Sequence, residues 1–494
     1  MNPNFCSIPA VISAGLILSQ IISVLQVYLS NIRYYRKLSL LHAAGYLTVP
    51  HLRVMESLKS FETAFMGGLF FSLTVGLCLT LLSFGAAWLW DRIFSRKKNA
   101  LYPFVIFWIA CLILANIQGF LPMVTLCFLL IPPAVFGLSL KCLPPQSNNP
   151  KPGRMLLFHV ICLILLALMG VRQMNPDMFS LIRDKMLLSN SVGIGLNNAY
   201  YRYTLYAAQV FKNLYQDQLR TCRISGEFPE KDRVKQQLAR YDWLSIENEL
   251  TDLEISANGK ELIFRHGEKE ILRSDSSDFF KNTGKILKTF SEKCDYYTFF
   301  RTFTFLSLLL VSGLSIWMIL YLPIRILCGI CLKKKFVSVS ALIICFACGA
   351  VLIFFSQPEA IGRVERKELD QMLHSENLSE KIKALQYIRY KKMEIADFHV
   401  HNIMAASPHV PERYELVRTL SVSRSPDTWA VTLALTDDPQ INVAYRAFHA
   451  LGARRDSRAV EEILKKIPLS DEWYIQFYAY KALRNLGWRQ TVSN

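Results

Sequence analysis

The chain of 494 residues is 52% hydrophobic and 12% aromatic and carries a formal charge of +17. Its positive mean hydropathy of +0.23 excludes an ordinary set of soluble domains. Residues 172–298 hold 19 Lys and Arg against 18 Asp and Glu, residues 359–494 hold 20 against 18, and the rest holds 17 against 3. The basic excess therefore sits beside apolar stretches, where it orients membrane spans, and a nucleic-acid-binding role loses its main support.

About 20 apolar residues cross the hydrocarbon of a bilayer. Met1–Ser7 has no basic n-region, and Ile8–Ser30 is too long for a signal-peptide core, so 8–30 is expected as an uncleaved first span. Asn31–Ser60 follows with Arg33, Arg36, Lys37, Arg53 and Lys59 against Glu56 alone. Span parity places this loop outside against its charge, so either it is tolerated there or the first span is miscounted, with an amphipathic helix lying in the interface around Lys37–Met55 as a third reading. The second span is 63–90. Asn99–Leu140 is too long for one helix and is interrupted by the turn-forming Asn116-Ile117-Gln118-Gly119, which predicts a hairpin of spans 101–116 and 120–140. Residues 155–171 make a fifth span at the lower length limit, and 302–324 and 336–358 a sixth and seventh.

Three loops are basic: Asp91–Lys98 (Arg92, Arg96, Lys97, Lys98), Lys141–Arg154 (Lys141, Lys151, Arg154) and Arg325–Lys335 (Arg325, Lys333, Lys334, Lys335). Positive short loops mark the cytoplasmic side, so both hydrophilic domains are expected outside it. A bacterial inner membrane fits the compact chain, and the lone sequon at Asn377 does not reverse that. The expected organisation is a membrane region 1–171 with five spans, a hydrophilic domain 172–298, a membrane region 299–358 with two spans, and a C-terminal domain 359–494.

Residues 172–298 read as a small α+β domain. Asn197–Leu219 is an aromatic-rich helix, read as packing. The short runs Leu253–Ser256, Glu261–Arg265 and Glu270–Arg273 form an antiparallel meander, and Asp275–Lys293 is a returning helix. Asn258-Gly259 and His266-Gly267 mark the turns, the first expected as type I′. Cys222 and Cys294 are the only cysteines of this domain. In an oxidising compartment they could form a disulfide; the alternative is two unrelated thiols.

The C-terminal domain contains a repeat. Ala444–Gly452 (AYRAFHALG) returns 35 positions later as Ala479–Gly487 (AYKALRNLG). Arg413–Ser421, 31 positions earlier, and Lys381–Arg389, 32 earlier again, keep the apolar pattern. Asp427–Val431 is echoed by Asp456–Val460. Ala384, Leu385, Leu416, Val417, Ala447, Phe448, Leu451, Ala482, Leu483 and Leu486 are thus expected as repeat-core positions on one helical face. Periods of this length with two helices each predict an α-solenoid. The pattern resembles HEAT-like repeats of the bilin-lyase (PBS-lyase) type over roughly residues 365–490, with Asp-x-Arg-Ala-Val at Asp456–Val460 as its most typical stretch. That resemblance implies a protein-binding superhelix and no lyase chemistry. The fold class expected overall is mainly α: a transmembrane bundle of about seven helices, a small α+β extramembrane domain and a C-terminal α-solenoid.

Candidate chemistry is sparse. Cys328/Cys331 and Cys345/Cys348 form CxxC pairs near a zinc-ribbon spacing, yet they lie at the end of or inside apolar spans, where thiolates are costly. His399, His401, His409 and Glu412 are metal-ligand types, but a His-x-His pair diverges on a helix. Gln20, Gln26, Asn116, Gln118 and His159 are the polar residues within the spans, and Glu62 and Arg301 stand at span edges. Buried ionisable groups, the usual mark of ion-coupled transport, are nearly absent. No catalytic residue, metal or cofactor is expected. The leading expectation is a membrane-anchored interaction protein whose repeats hold a protein partner. The alternative is a transporter, channel or membrane enzyme, with Pro132-Pro133 breaking a helix at the place to look.

Overall fold

The computed structural model describes residues 7–143, 153–170, 187–247, 251–355 and 364–490. Lys151, the last residue of the expected span 155–171 and the last three of 336–358 lie outside the described residues. The chain begins with α1 (Ile8–Ala43), α2 (Leu52–Ser57) and α3 (Phe61–Arg92), the last carrying one π turn at Ser72–Gly76. Then come α4 (Tyr102–Asn116), α5 (Pro122–Cys142) and α6 (Gly153–Gly170). Two further long apolar helices, α10 (Thr298–Cys331) and α11 (Lys334–Phe355), come later in the chain. Among the described residues six helices are long and apolar enough to cross a membrane: α1, α3, α4 with the short turn before it, α5, α10 and α11. The apolar described part of α6, Phe158–Gly170, is shorter.

The chain divides into two compact units. One comprises Met1–Val27, Ala64–Leu181 and Tyr296–Glu359; the other comprises Tyr28–Thr63, Ile182–Asp295 and Ala360–Asn494. The stretches 172–298 and 359–494, expected as separate domains, thus fall largely in the same unit, together with the basic stretch after the first span.

In the first unit α3 packs on α5, α4 on α5, α10 on α11 and α6 on α11. Small residues set the spacing of α1 and α3: a Cβ at Gly15 would meet Thr80, and one at Gly76 would meet Ser19. Gln20 donates to the Phe65 carbonyl at 3.0 Å and accepts from the Ser72 hydroxyl at 2.6 Å. Asn116 closes the α4–α5 turn by accepting from the Leu121 N–H at 3.0 Å and from the Thr125 hydroxyl at 2.8 Å.

In the second unit the stretch 37–55, for which an amphipathic helix is one of three readings, consists of the last turns of α1, a loop, and most of α2. Nothing in residues 31–43 breaks a helix. It stops at Gly45 (φ 80°), where Tyr46 N–H bonds back to the Leu41 carbonyl and Gly45 N–H to that of His42, a glycine-terminated C-cap. Helix α7 (Ser191–Gln209) starts on Asn190, whose side chain accepts from Gly193 N–H. It ends ten residues before the expected Leu219.

A five-stranded sheet follows, in the order β2-β1-β3-β4-β5. Its strands are β1 (Arg220–Ser225), β2 (Trp243–Ser245), β3 (Leu253–Asn258), β4 (Glu261–His266) and β5 (Lys269–Asp275), with α8 (Lys231–Ala239) between β1 and β2. The last three strands are the expected antiparallel meander; β1 pairs parallel with both β2 and β3. Asn258 pairs with Glu261, which leaves Gly259 and Lys260 as the central turn residues. Only Gly259 has positive φ, so the turn is the II′ kind rather than the expected I′. Helix α9 (Ser276–Lys293) is capped by Asp275 and buries Phe279, Thr283, Ile286, Leu287 and Phe290 on the sheet.

The C-terminal part holds α12 (Arg366–His374), α13 (Leu378–Lys391), α14 (His401–Ala405), α15 (Val410–Leu420), α16 (Trp429–Ala434), α17 (Ile441–Arg454), α18 (Arg458–Lys466) and α19 (Trp473–Asn485). The longer helices α13, α15, α17 and α19 each pack on the next. Ala384, Leu385, Leu416, Val417, Ala447, Phe448, Leu451, Ala482 and Leu483 are buried, and Leu486 is half-buried.

Candidate functional site

A largely buried polar cluster lies in the second unit, where the end of α1 meets the sheet. Lys37 reaches Asp217 at 3.0 Å and Asp252 at 2.8 Å, and all three side chains are largely buried. Asp217 also accepts from Gln209 at 2.8 Å. Asp252 accepts from the Thr221 N–H at 2.8 Å and its hydroxyl at 3.0 Å. Burial alone would raise the Asp252 carboxyl; Lys37 and the Thr221 donors override it and hold it below the usual carboxylate range. Every strong acceptor faces a donor, so the triad is a clamp between α1 and the sheet rather than a group poised to transfer a proton. Lys37, one of the five basic residues of Asn31–Ser60, is neutralised here by two acids far away in sequence.

A second clamp joins the same segment to the C-terminal helices. Leu47 N–H donates to Gln490 Oε1 at 2.8 Å while Gln490 Nε2 donates to the Leu47 carbonyl at 2.9 Å. His51 N–H donates to Gln476 Oε1 at 2.8 Å. Tyr34 stacks on Trp473 at 5.8 Å, and Tyr206 meets the same indole edge-on at 4.9 Å. Asp242, just before β2, accepts from Tyr480 at 2.8 Å and pairs with Arg484 at 2.9 Å. The tyrosine-rich α7 packs as expected: Tyr201 lies against Tyr445 and Tyr474, and Asn197 donates to Asn442 at 2.5 Å. On its other side α7 exposes Val192, Leu196 and Tyr200, one turn apart.

The first unit holds an apolar groove of about 800 Å³ between α3, α4 and α5, lined by Gly85, Trp108, Pro132, Pro133, Gly137 and Phe303 among others. Helix α5 runs through Pro132 and Pro133 rather than breaking there. The Phe128 carbonyl, whose helical donor would be the N–H that Pro132 lacks, accepts instead from the Trp108 indole at 2.6 Å. Gln20, Gln26, Gln118 and His159 do not line this groove.

The remaining sequence candidates are placed as follows. Cys222 and Cys294 share one apolar cluster as free thiols, and burial pushes each up to about 12. Cys328 and Cys345 share a cluster with Trp317 and Tyr321, while Cys331 is exposed. His159 meets Tyr321 edge-on at 4.7 Å and Trp317 at 6.0 Å. Glu412 is taken by Lys381 at 3.3 Å and by the Ser407 hydroxyl, His401 is buried, and His399 and His409 are exposed. Among the described residues no group of three His, Cys, Asp or Glu side chains is placed to hold a metal ion. The Lys37 triad was missed because its three members lie on elements that only tertiary packing brings together.

Comparison of the chain with models of known families, with curated proteins and with solved structures finds no match.

Proposed function

We propose that this is a membrane-anchored interaction protein, presenting a HEAT-like α-solenoid outside the cytoplasm of a bacterial inner membrane to a protein partner. The observation that carries this reading is the second unit itself. Three stretches separated by membrane helices bury their charges and aromatics in one another, giving the C-terminal helices a rigid mount. One flank of those helices is occupied by the chain's own α7 and the 44–51 loop, and elsewhere Tyr390, Ile403 and Leu469 remain 68%, 71% and 79% exposed. Exposed aromatic and aliphatic anchors of this kind suit a protein partner.

A common side for the three stretches is supported by chain parity, and the basic loops support placing it outside the cytoplasm. Between its first and second contributions to the second unit the chain traverses α3, α4, α5 and α6; between the second and third it traverses α10 and α11. Both detours return the chain to the side it left, provided α6 crosses. The transporter reading has less support, because Gln20, Asn116 and His159 are engaged in helix contacts.

The test uses the full-length protein in its membrane. A photo-crosslinking residue at Ile403 or Tyr390 is expected to capture one and the same protein, and a residue at the exposed Lys260 on the sheet is not. Equal capture from all three positions, or from none, refutes a partner on the repeats.

A further inference from the structure

The apolar groove of the first unit ends at a basic loop, and the two features are built together. Gly85 on α3 and Gly137 on α5 both line it, and a Cβ added at either would meet nothing within 4 Å. Pro132 and Pro133 line the same groove one turn before Gly137 on α5, so α5 offers small or compact residues there while Gly85 does the same on α3. Apart from Ser83 and the Trp108 indole, already spent on Phe128, its walls are apolar. It extends to Leu89 and Leu101, which flank the turn holding Arg92, Arg96, Lys97 and Lys98. Trp90 ties the two parts: its ring packs on Phe136 of the groove at 5.8 Å, and its indole N–H donates to the Lys97 carbonyl at 2.9 Å. Asp91 engages Arg96 at 2.6 Å and Arg92 at 3.4 Å, whereas Lys97 and Lys98 are exposed in this turn.

We propose that this groove is a binding site for one anionic phospholipid, an acyl chain lying along Gly85, Pro133 and Gly137 and the phosphate headgroup resting on Lys97 and Lys98. Inside a bilayer the abundant apolar molecule is a lipid chain, and the exposed lysines of the turn beyond the groove's Leu89 and Leu101 end select for negative headgroups. The partner repeats in the second unit play no part, so this inference does not depend on the proposed function.

Native mass spectrometry of the detergent-purified full-length protein, titrated with phosphatidylglycerol and with phosphatidylcholine of the same chains, tests it. One tightly held phosphatidylglycerol is expected, preferred by about tenfold or more over phosphatidylcholine. Gly85→Leu with Gly137→Leu fills the groove and should remove retention of both lipids; Gly313→Leu, at an exposed glycine on α10 with equal free space, should not. Lys97→Gln with Lys98→Gln should erase the headgroup preference and leave phosphatidylcholine binding unchanged. Retention that is absent in the parent protein, unchanged by filling the groove, or lost equally in the Gly313 control overturns the proposal. If the double leucine variant does not fold, Gly85→Ala, which only narrows the groove, must still weaken retention.

Discussion

Gly452 and Gly487 stand at the same place in the repeat and do different work. Gly452 is inside α17, where a Cβ would lie 2.9 Å from the Ala482 Cα, so it sets how closely α17 and α19 approach. Gly487 follows α19 at φ 89° with open space around it, so it serves as a left-handed cap. Gly452→Ala should destabilise by about 1–3 kcal/mol through overpacking, and Gly452→Asn by more. Gly487→Ala should cost about 1 kcal/mol, and Gly487→Asn should recover most of it, because Asn tolerates positive φ. Thermal unfolding followed by tryptophan fluorescence separates the two patterns. The sequence showed both glycines as one letter of one motif; only packing tells them apart.

The Lys37 clamp has a pH signature at the same scale. Asp252 is depressed in the folded state, so its contribution is complete above the unfolded carboxylate value of about 3.9 and is lost as pH falls through the folded value. Asp252→Asn should flatten the acid limb of the stability curve relative to the parent chain. Lys37→Met should destabilise by about 3–5 kcal/mol near neutrality, since it leaves two buried carboxylates unpaired. Denaturation midpoints measured from pH 3 to 8 check both; parallel acid limbs would remove the clamp from the account.

At the scale of elements, α5 shows why a proline pair did not become a break. The Trp108 indole supplies the donor that Pro132 removes from the Phe128 carbonyl. Trp108→Phe should therefore cost about 1 kcal/mol, and much less in a Pro132→Ala background, where the new Ala N–H can take the carbonyl. A double-mutant cycle on unfolding free energy measures that coupling, and additivity would contradict it. Sequence periodicity counts local partners only, so it had no view of an indole on a neighbouring helix. The same limit explains the sheet. Gly259 and Gly267 announce the hairpins β3–β4 and β4–β5 because the turns are local, whereas β1 and β2 pair in parallel through a helical crossover and carry no turn signal. Residues 31–43 were read as loop or interface because their charge hid an unbroken helical stretch that runs to Gly45.

For the molecule as a whole, length and hydropathy made the apolar helices legible, and the repeat made the C-terminal helix stack legible. What stayed hidden was that the basic stretch after the first span, the α+β part and the repeats form one unit. That unit gives α6 a specific duty: the chain returns to one side only if α6 completes a crossing. Alkaline phosphatase fused after Leu143 is expected to be inactive and after Asp295 active. Activity at both, or at neither, would exclude a crossing by α6.

The Leu47–Gln490 amide pair joins residues 443 positions apart. In terms of synthesis, the 44–51 loop waits for residues made 443 positions later before the Leu47 backbone is paired. Its closure therefore follows synthesis of the later apolar helices, and the growing chain carries Leu47 and His51 open to proteases or chaperones until Gln476 and Gln490 are made. A nascent chain stalled before Gln476 should be cut in the 44–51 loop, and the finished one should resist.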